Sequence, residues 1–255
     1  MDCEKTFRVI IKAIKSTSLE CSTISFENVS DADAETIYDS LYHPINNLES
    51  RHFRYNFNSL TKTLTVKMPS EIHEVGLGWM FSFCSWRESM PPSSETDIEV
   101  LASPKFDKFD PPYQNSIKEP DGLFRVFGSN FPSVVLEVGW SETWTKLKLD
   151  RDLWLNGSGG VAPVVILINF TKTSRGVKGV VELASRRNSE QVIQSKPIWP
   201  VPSAGTEDPF ILLGELYGSH LPAEYDPSTK LYFKMSVLRS RGERRLTELS
   251  LSACA

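Results

Sequence analysis

At 255 residues with 40% apolar side chains, the chain can close one large core or two small ones, and a charged fraction of 24% excludes a disordered polyelectrolyte. The formal net charge of -4 excludes a globally basic nucleic-acid binder, so any contact with a polyanion has to be local. The N-terminal stretch MDCEKTFRVIIKAIK has an acid at position 2 and too short an apolar run for a signal peptide, and no later run approaches the ~18 apolar residues of a membrane span. The expectation is a soluble intracellular protein, cytoplasmic or nuclear.

In chain order, residues 31–42 (DADAETIYDSLY) begin with capping residue types and place Ile37 and Leu41 four apart, which predicts a short helix. RHFRYNFNSLTKTLTVKMP then alternates Phe53, Tyr55 and Phe57, and later Leu64, Val66 and Met68, around a polar turn at 58–62; this is a hairpin. SEIHEVGLGWMFSFC follows Pro69 and sets Ile72, Val75, Trp79 and Phe83 at three- and four-residue spacing, the pattern of an amphipathic helix. Residues 90–119 read as a Pro-, Ser- and Asp-rich excursion around a short strand, DIEVLAS.

From Pro120 the pattern is strand, strand, helix, strand: EPDGLFRVFG, SVVLEVG, ETWTKLKLDRDLWL and APVVILINF, with a turn at NGSGG before the last. A helical crossover of this length favours parallel neighbours, which is why both flanking strands are nearly continuously apolar. GVVELA, QVIQSKPIWP and KLYFKMSVL read as further strands, and RSRGERRLTELSLSACA as a basic, frayed terminus. The expected class is α/β (α+β), a mixed central sheet flanked by helices. The expected organisation is an N-terminal extension over 1–49 with a short helix, a core over 50–236 and a basic tail over 237–255.

The chemistry lies in SVVLEVG. An ionised carboxylate in a buried strand costs several kcal/mol unless a base, a hydrogen-bond network or a cation compensates it, so Glu137 needs a partner. Alternation puts Val135, Glu137 and Gly139 on one face, with open space at Gly139. Asp121 follows a proline, suits the first residue of a strand, and precedes Glu137 by one turn; sequential strands are commonly neighbours. Two acids brought together repel, and a divalent cation with hard oxygen ligands, Mg²⁺ or Mn²⁺, relieves that repulsion. An ion pair of Glu137 with Arg125 or another base, and a plain PDG turn at Asp121, are the structural alternatives.

The succession EPDGLF, PSVVLEVGWSE, KLKLD and WL, preceded by YNFNSLTKTLTVKMPSEIHE, resembles the core of the PD-(D/E)XK nuclease superfamily, and within it a fungal, Uma2-like branch, over about residues 50–170. That resemblance implies a restriction-endonuclease-like core over 50–236 and a metal-dependent nuclease hydrolysing phosphodiester bonds of DNA or RNA. Asp121 and Glu137 would be metal ligands, with Glu74 the acid contributed from the first core helix. The family's usual lysine two residues after the strand glutamate is replaced by Gly139, and Lys146 and Lys148 on the following helix are the candidates for a migrated one. On a helical wheel Lys148 lies about 70° from the sheet-facing stripe of Trp144, Leu147, Trp154 and Leu155, and Lys146 about 130° away, which favours Lys148. A catalytically inactive nuclease-fold module binding protein or nucleic acid is the alternative, favoured by the missing lysine.

Local basic patches for nucleic acid are Lys172, Arg175 and Lys178, then Arg186 and Arg187, then Arg239, Arg241, Arg244 and Arg245; no membrane partner is expected and a homodimer stays open. Cys3, Cys21, Cys84 and Cys254 show no CxxC spacing and read as reduced thiols. His43, His52, His73 and His220 show no ligand or triad spacing, and NGSGG lacks the pattern of a phosphate cradle.

Overall fold

A computed structural model describes residues 2–16, 23–82, 86, 89–91, 98–140, 143–187, 190–203 and 205–254. The expectations that rest on Cys21, Phe83, Cys84, Ser141 and Glu142 lie outside the described residues. The chain divides into two units, one made of Met1–Ser70 with Ser103–Glu119, the other of Glu71–Ala102 with Pro120–Ala255.

The first unit contains helices α1 (Cys3–Lys15) and α2 (Asp31–Leu41) and strands β1 (Thr23–Phe26), β2 (Arg54–Asn58) and β3 (Thr63–Lys67), in one antiparallel sheet of order β1-β3-β2. Helix α2 starts where Ser30 accepts the amide of Asp33, satisfying one of the orphan donors of the first turn. The hairpin forms because Tyr55 and Phe57 on β2 and Leu64 and Val66 on β3 bury one face. Ile10 and Ile14 of α1 and Ile37 and Leu41 of α2 belong to the same cluster. Each such side chain contributes about 1.5–3 kcal/mol on full burial. The segment before Pro120 is tied back to the sheet, with the amide of Phe57 donating to Ile117 O at 2.7 Å and the amide of Ile117 returning to Phe57 O at 2.9 Å.

The second unit is built on a six-stranded mixed sheet of order β4-β5-β6-β7-β8-β9: β4 (Ile98–Leu101), β5 (Gly122–Val126), β6 (Val134–Trp140), β7 (Val164–Thr173), β8 (Gly176–Arg187) and β9 (Glu190–Trp199). Strands β6 and β7 are parallel and the other pairs antiparallel. The parallel pair is joined through helix α4 (Trp144–Gly157), whose last turn gives way to Gly159 and Gly160 at φ of 63° and 83°. That left-handed turn is what NGSGG supplies.

Helix α3 (Glu71–Met80) lies on the sheet face that carries Leu136, Val138 and Ile168. A Cβ on Gly76 would stand 2.7 Å from Val138 Cγ2, so glycine is what lets the helix come this close. Helix α4 covers the opposite face, where Arg151 reaches Glu182 on β8 and Trp154 reaches Glu137. The strands β10 (Phe210–Leu212) and β11 (Lys230–Tyr232), a short helix α5 (Leu213–Tyr217) and helix α6 (Met235–Glu248) complete the unit. The class is mixed α/β, as the strand-helix-strand pattern implied.

Two expectations of local structure change. KLYFKMSVL is a strand only as far as Tyr232, and the basic terminus is the helix α6, in which Leu238, Gly242 and Leu246 are buried at four-residue spacing among arginines. The charges mask the stripe in the sequence, and burial against α3 and Trp199 supplies the stability that helix propensity alone does not. Beyond it, the amide of Cys254 donates to Val177 O at 2.9 Å, so the last described residues are sewn to β8.

Candidate functional site

Asp121 immediately precedes β5, whose Gly122 pairs with Leu136 of β6, the residue before Glu137. Asp121 and Glu137 are both 1% exposed. Glu137 shares the face of Val135 and Gly139, which α4 covers through Trp154.

Local chemistry explains why each acid sits where it does. Pro120 has no amide hydrogen to give the ladder, so regular pairing begins after it. Asp121 donates its own amide to Leu136 O at 3.0 Å and accepts the amide of Val138 on its carboxylate at 2.6 Å, which makes its side chain a substitute for a ladder carbonyl. Glu137 accepts the indole N–H of Trp154 at 2.9 Å. Each carboxylate is therefore oriented through one oxygen by a donor of the second unit. The supposed partner Arg125 is engaged elsewhere, with Glu99 on β4 at 2.8 Å.

Neighbouring buried carboxylates are hard-oxygen donors of the kind a divalent cation takes, and one carboxylate oxygen can bind a cation while the other keeps its hydrogen bond. Among the described residues, no group of three or more His, Cys, Asp or Glu side chains is arranged to hold a metal ion. Asp121 and Glu137 would therefore need further oxygens, from water or substrate, to complete a cation's shell, as Mg²⁺ sites commonly allow.

The other expected site residues are exposed. Glu74 lies on α3, beside Arg241, Arg244 and Arg245 of α6, and α3 covers the sheet face opposite to that of Glu137. Lys146 and Lys148 are exposed on α4. The basic residue that α4 turns inward is Arg151, four residues after Leu147 and three before Trp154, in an ion pair with Glu182 at 2.9 Å and a second with Asp152 at 2.8 Å. The wheel placed the stripe correctly at Leu147 and Trp154 but left out this inward arginine. Beside Gly139, the next parallel strand carries Asn169, 4% exposed, which had no signal in the sequence beyond being polar in an apolar run.

The first unit holds its own buried polar cluster. Glu119, 5% exposed, accepts the Tyr42 hydroxyl and the Tyr55 amide, both at 2.7 Å. Burial raises the Glu119 carboxyl above the ordinary carboxylate value, against the pull of those two donors. Burial and the nearby Glu119 also raise the Tyr42 hydroxyl, and burial pushes the Tyr38 hydroxyl to about 12. Lys67 and Lys118 are each 1% exposed, a degree of burial that lysine rarely tolerates. Nothing in the sequence pattern marks these three charged residues as buried.

Of the expected basic patches, Lys172, Arg175 and Lys178 are exposed around the β7–β8 turn, which extends past the end of β6 where Glu137 and Gly139 lie. Arg187 pairs with Glu215, Arg239 donates to the carbonyls of Pro197 and Ile198, and Arg245 pairs with Glu71 and Glu248. Arg186, Arg241 and Arg244 are exposed. Cys3 and Cys254 are free thiols. No helix among the described residues is long and apolar enough to cross a membrane. Comparison with protein-family models, with curated proteins and with solved structures finds no match to this chain.

Proposed function

We propose that the chain is a metal-dependent phosphodiesterase of the PD-(D/E)XK type, acting on DNA or RNA. The observation that carries this reading is the burial of two carboxylates from neighbouring stretches of a mixed sheet, Asp121 just before β5 and Glu137 on β6. They would hold Mg²⁺ or Mn²⁺, which when bound supplies a hydroxide nucleophile and neutralises phosphodiester charge. The chain's own contribution is orientation: the Val138 amide fixes Asp121, and the Trp154 indole fixes Glu137. Both donors sit on rigid elements, which is what a preorganised cation site requires. The exposed Lys172, Arg175 and Lys178 supply positive charge at the same end of the sheet. Lys148 or Lys146 is the remaining candidate for positioning the attacking water through a long flexible stem.

A second reading rests on Gly139, which stands at the position expected for the lysine, and on the exposed setting of both lysines of α4. On that reading the same fold is kept as a binding module for nucleic acid or protein and the two acids are structural. Incubation of the full chain with Mg²⁺ or Mn²⁺ and plasmid, single-stranded DNA or RNA separates the two. The phosphodiesterase reading expects cleavage that Glu137→Gln removes by at least about a hundredfold, since one ligand of the cation is lost. Absence of cleavage on every substrate supports the binding module, and cleavage that Glu137→Gln leaves intact indicates contamination or a different centre.

A further inference from the structure

A cleft of about 620 Å³ opens in the second unit at the start of β6 and β7, among Ser133, the turn at Gly160 and Val161, the end of β8, and α5. Ser133 precedes Glu137 by four residues, on the order of 13 Å along the strand, so the cleft lies at the opposite end of the sheet from Gly139 and Trp140. Its volume falls within the range of small-molecule sites, and its floor is apolar: Val126, Phe131, Pro163 and Leu212.

The charges at its rim do not cancel. Arg187 is paired with Glu215, its Nε donating at 2.8 Å and its NH2 at 3.2 Å, and Glu215 is held in turn by the amide of Leu212 at 2.6 Å. That pair is neutral and fixed. Arg186, its neighbour in sequence, donates instead to Asn156 Oδ1 at 2.6 Å, an uncharged amide. Counted over Arg186, Arg187 and Glu215, the lining carries one surplus positive charge, and it sits on Arg186. A guanidinium tethered through one nitrogen to a neutral acceptor keeps further donors of its planar fork for a ligand. The Ser219 hydroxyl on the lining adds a short-range donor.

We propose that this cleft binds a small organic anion: an apolar body lying on Phe131, Val126 and Leu212, with a single anionic group, a carboxylate or phosphate, at Arg186. The site is independent of the phosphodiesterase reading and shares no residue with Asp121 or Glu137.

A matched pair of dyes tests it. 8-Anilinonaphthalene-1-sulfonate and N-phenyl-1-naphthylamine share one aromatic body, and only the first bears an anion. Fluorescence titration of the folded full chain is expected to show saturable one-site binding of the anionic dye. Arg186→Gln should weaken it about tenfold while leaving the neutral dye unchanged, the scale of one charge-assisted hydrogen bond. Arg186→Lys should restore part of the loss. Val161 is 52% exposed, so Val161→Trp can fill the mouth of the cleft without disturbing the core, and it should abolish both signals. Displacement of the dye by benzoate against phenyl phosphate then distinguishes a carboxylate from a phosphate group. Dye binding that is not saturable, or that is equal in wild type, Arg186→Gln and Val161→Trp at unchanged circular dichroism, overturns the proposal.

Discussion

Glu119 is a carboxylate whose surroundings pull in two directions. Burial raises its pKa, while the Tyr55 amide and the Tyr42 hydroxyl hold the charged form. Burial is the larger effect, so the folded state keeps the proton to higher pH than the unfolded chain does. Stability associated with this group is therefore present at low pH and lost as pH rises from the ordinary carboxylate value through the raised one. Glu119→Gln is expected to remove that dependence: the difference in unfolding free energy between the two proteins, measured by denaturant titration across the acidic range, should vary with pH with this sign. A constant difference contradicts the assignment. At Glu137 the matching test is Trp154→Phe, which keeps an aromatic ring, removes the donor and trims the buried side chain. It should cost about 1–3 kcal/mol of stability, because a buried acceptor loses its partner. Loss near zero means that the indole does not orient the acid. Both carboxylates of the candidate site could be seen in the sequence, Glu137 as a charge inside an apolar run and Asp121 from the proline before it. Their donors could not. Trp154 reads as plain core in a helical pattern, and the hydrogen bond of Asp121 is to a backbone amide that no side-chain pattern records.

Among the elements, the strand-helix-strand β6-α4-β7 was the most legible, because continuous apolar strands on either side of an amphipathic segment leave few other arrangements. Helices α1 and α6 were the least legible. In both, a narrow apolar stripe (Ile10 and Ile14; Leu238 and Leu246) is diluted by charges, and only tertiary burial reveals it. Helix α3 makes a sharper prediction. Its Gly76 is worth about 1 kcal/mol less than alanine in helix propensity, yet an added methyl would meet Val138 at 2.7 Å and Ile168 at 3.1 Å. Overpacking of this kind costs about 1–3 kcal/mol and outweighs the gain. Gly76→Ala should lower the melting temperature, and an unchanged or higher one would show that α3 stands further from the sheet.

At the scale of the whole chain, a net charge of -4 means that nucleic acid would be held by patches and not by the general field. The β7–β8 turn, with Lys172, Arg175 and Lys178 exposed, is the patch at the acid end of the sheet. Replacing all three by glutamine should reduce the slope of log affinity against log salt by about 3, one unit for each phosphate contact removed, with affinity falling alike for all sequences. An unaltered slope would move the interface elsewhere, with the exposed Arg241 and Arg244 of α6 next in line. The sequence reveals the class of the second unit, and hides the division into two units, because the first is assembled from the N-terminal 70 residues and the separate segment Ser103–Glu119.

The account depends most on whether Asp121 and Glu137 together bind a divalent cation, and thermal unfolding with and without Mg²⁺ or Mn²⁺ measures this directly. Asp121→Asn is the informative variant, since an amide oxygen can still accept the Val138 amide while the charge is gone. At cation concentrations about 100 times the dissociation constant, wild type should gain about 2.7 kcal/mol and a rise of several degrees, and Asp121→Asn should gain nothing. An equal response of the two proteins, or none in either, contradicts the cation site and leaves the acids as structural groups.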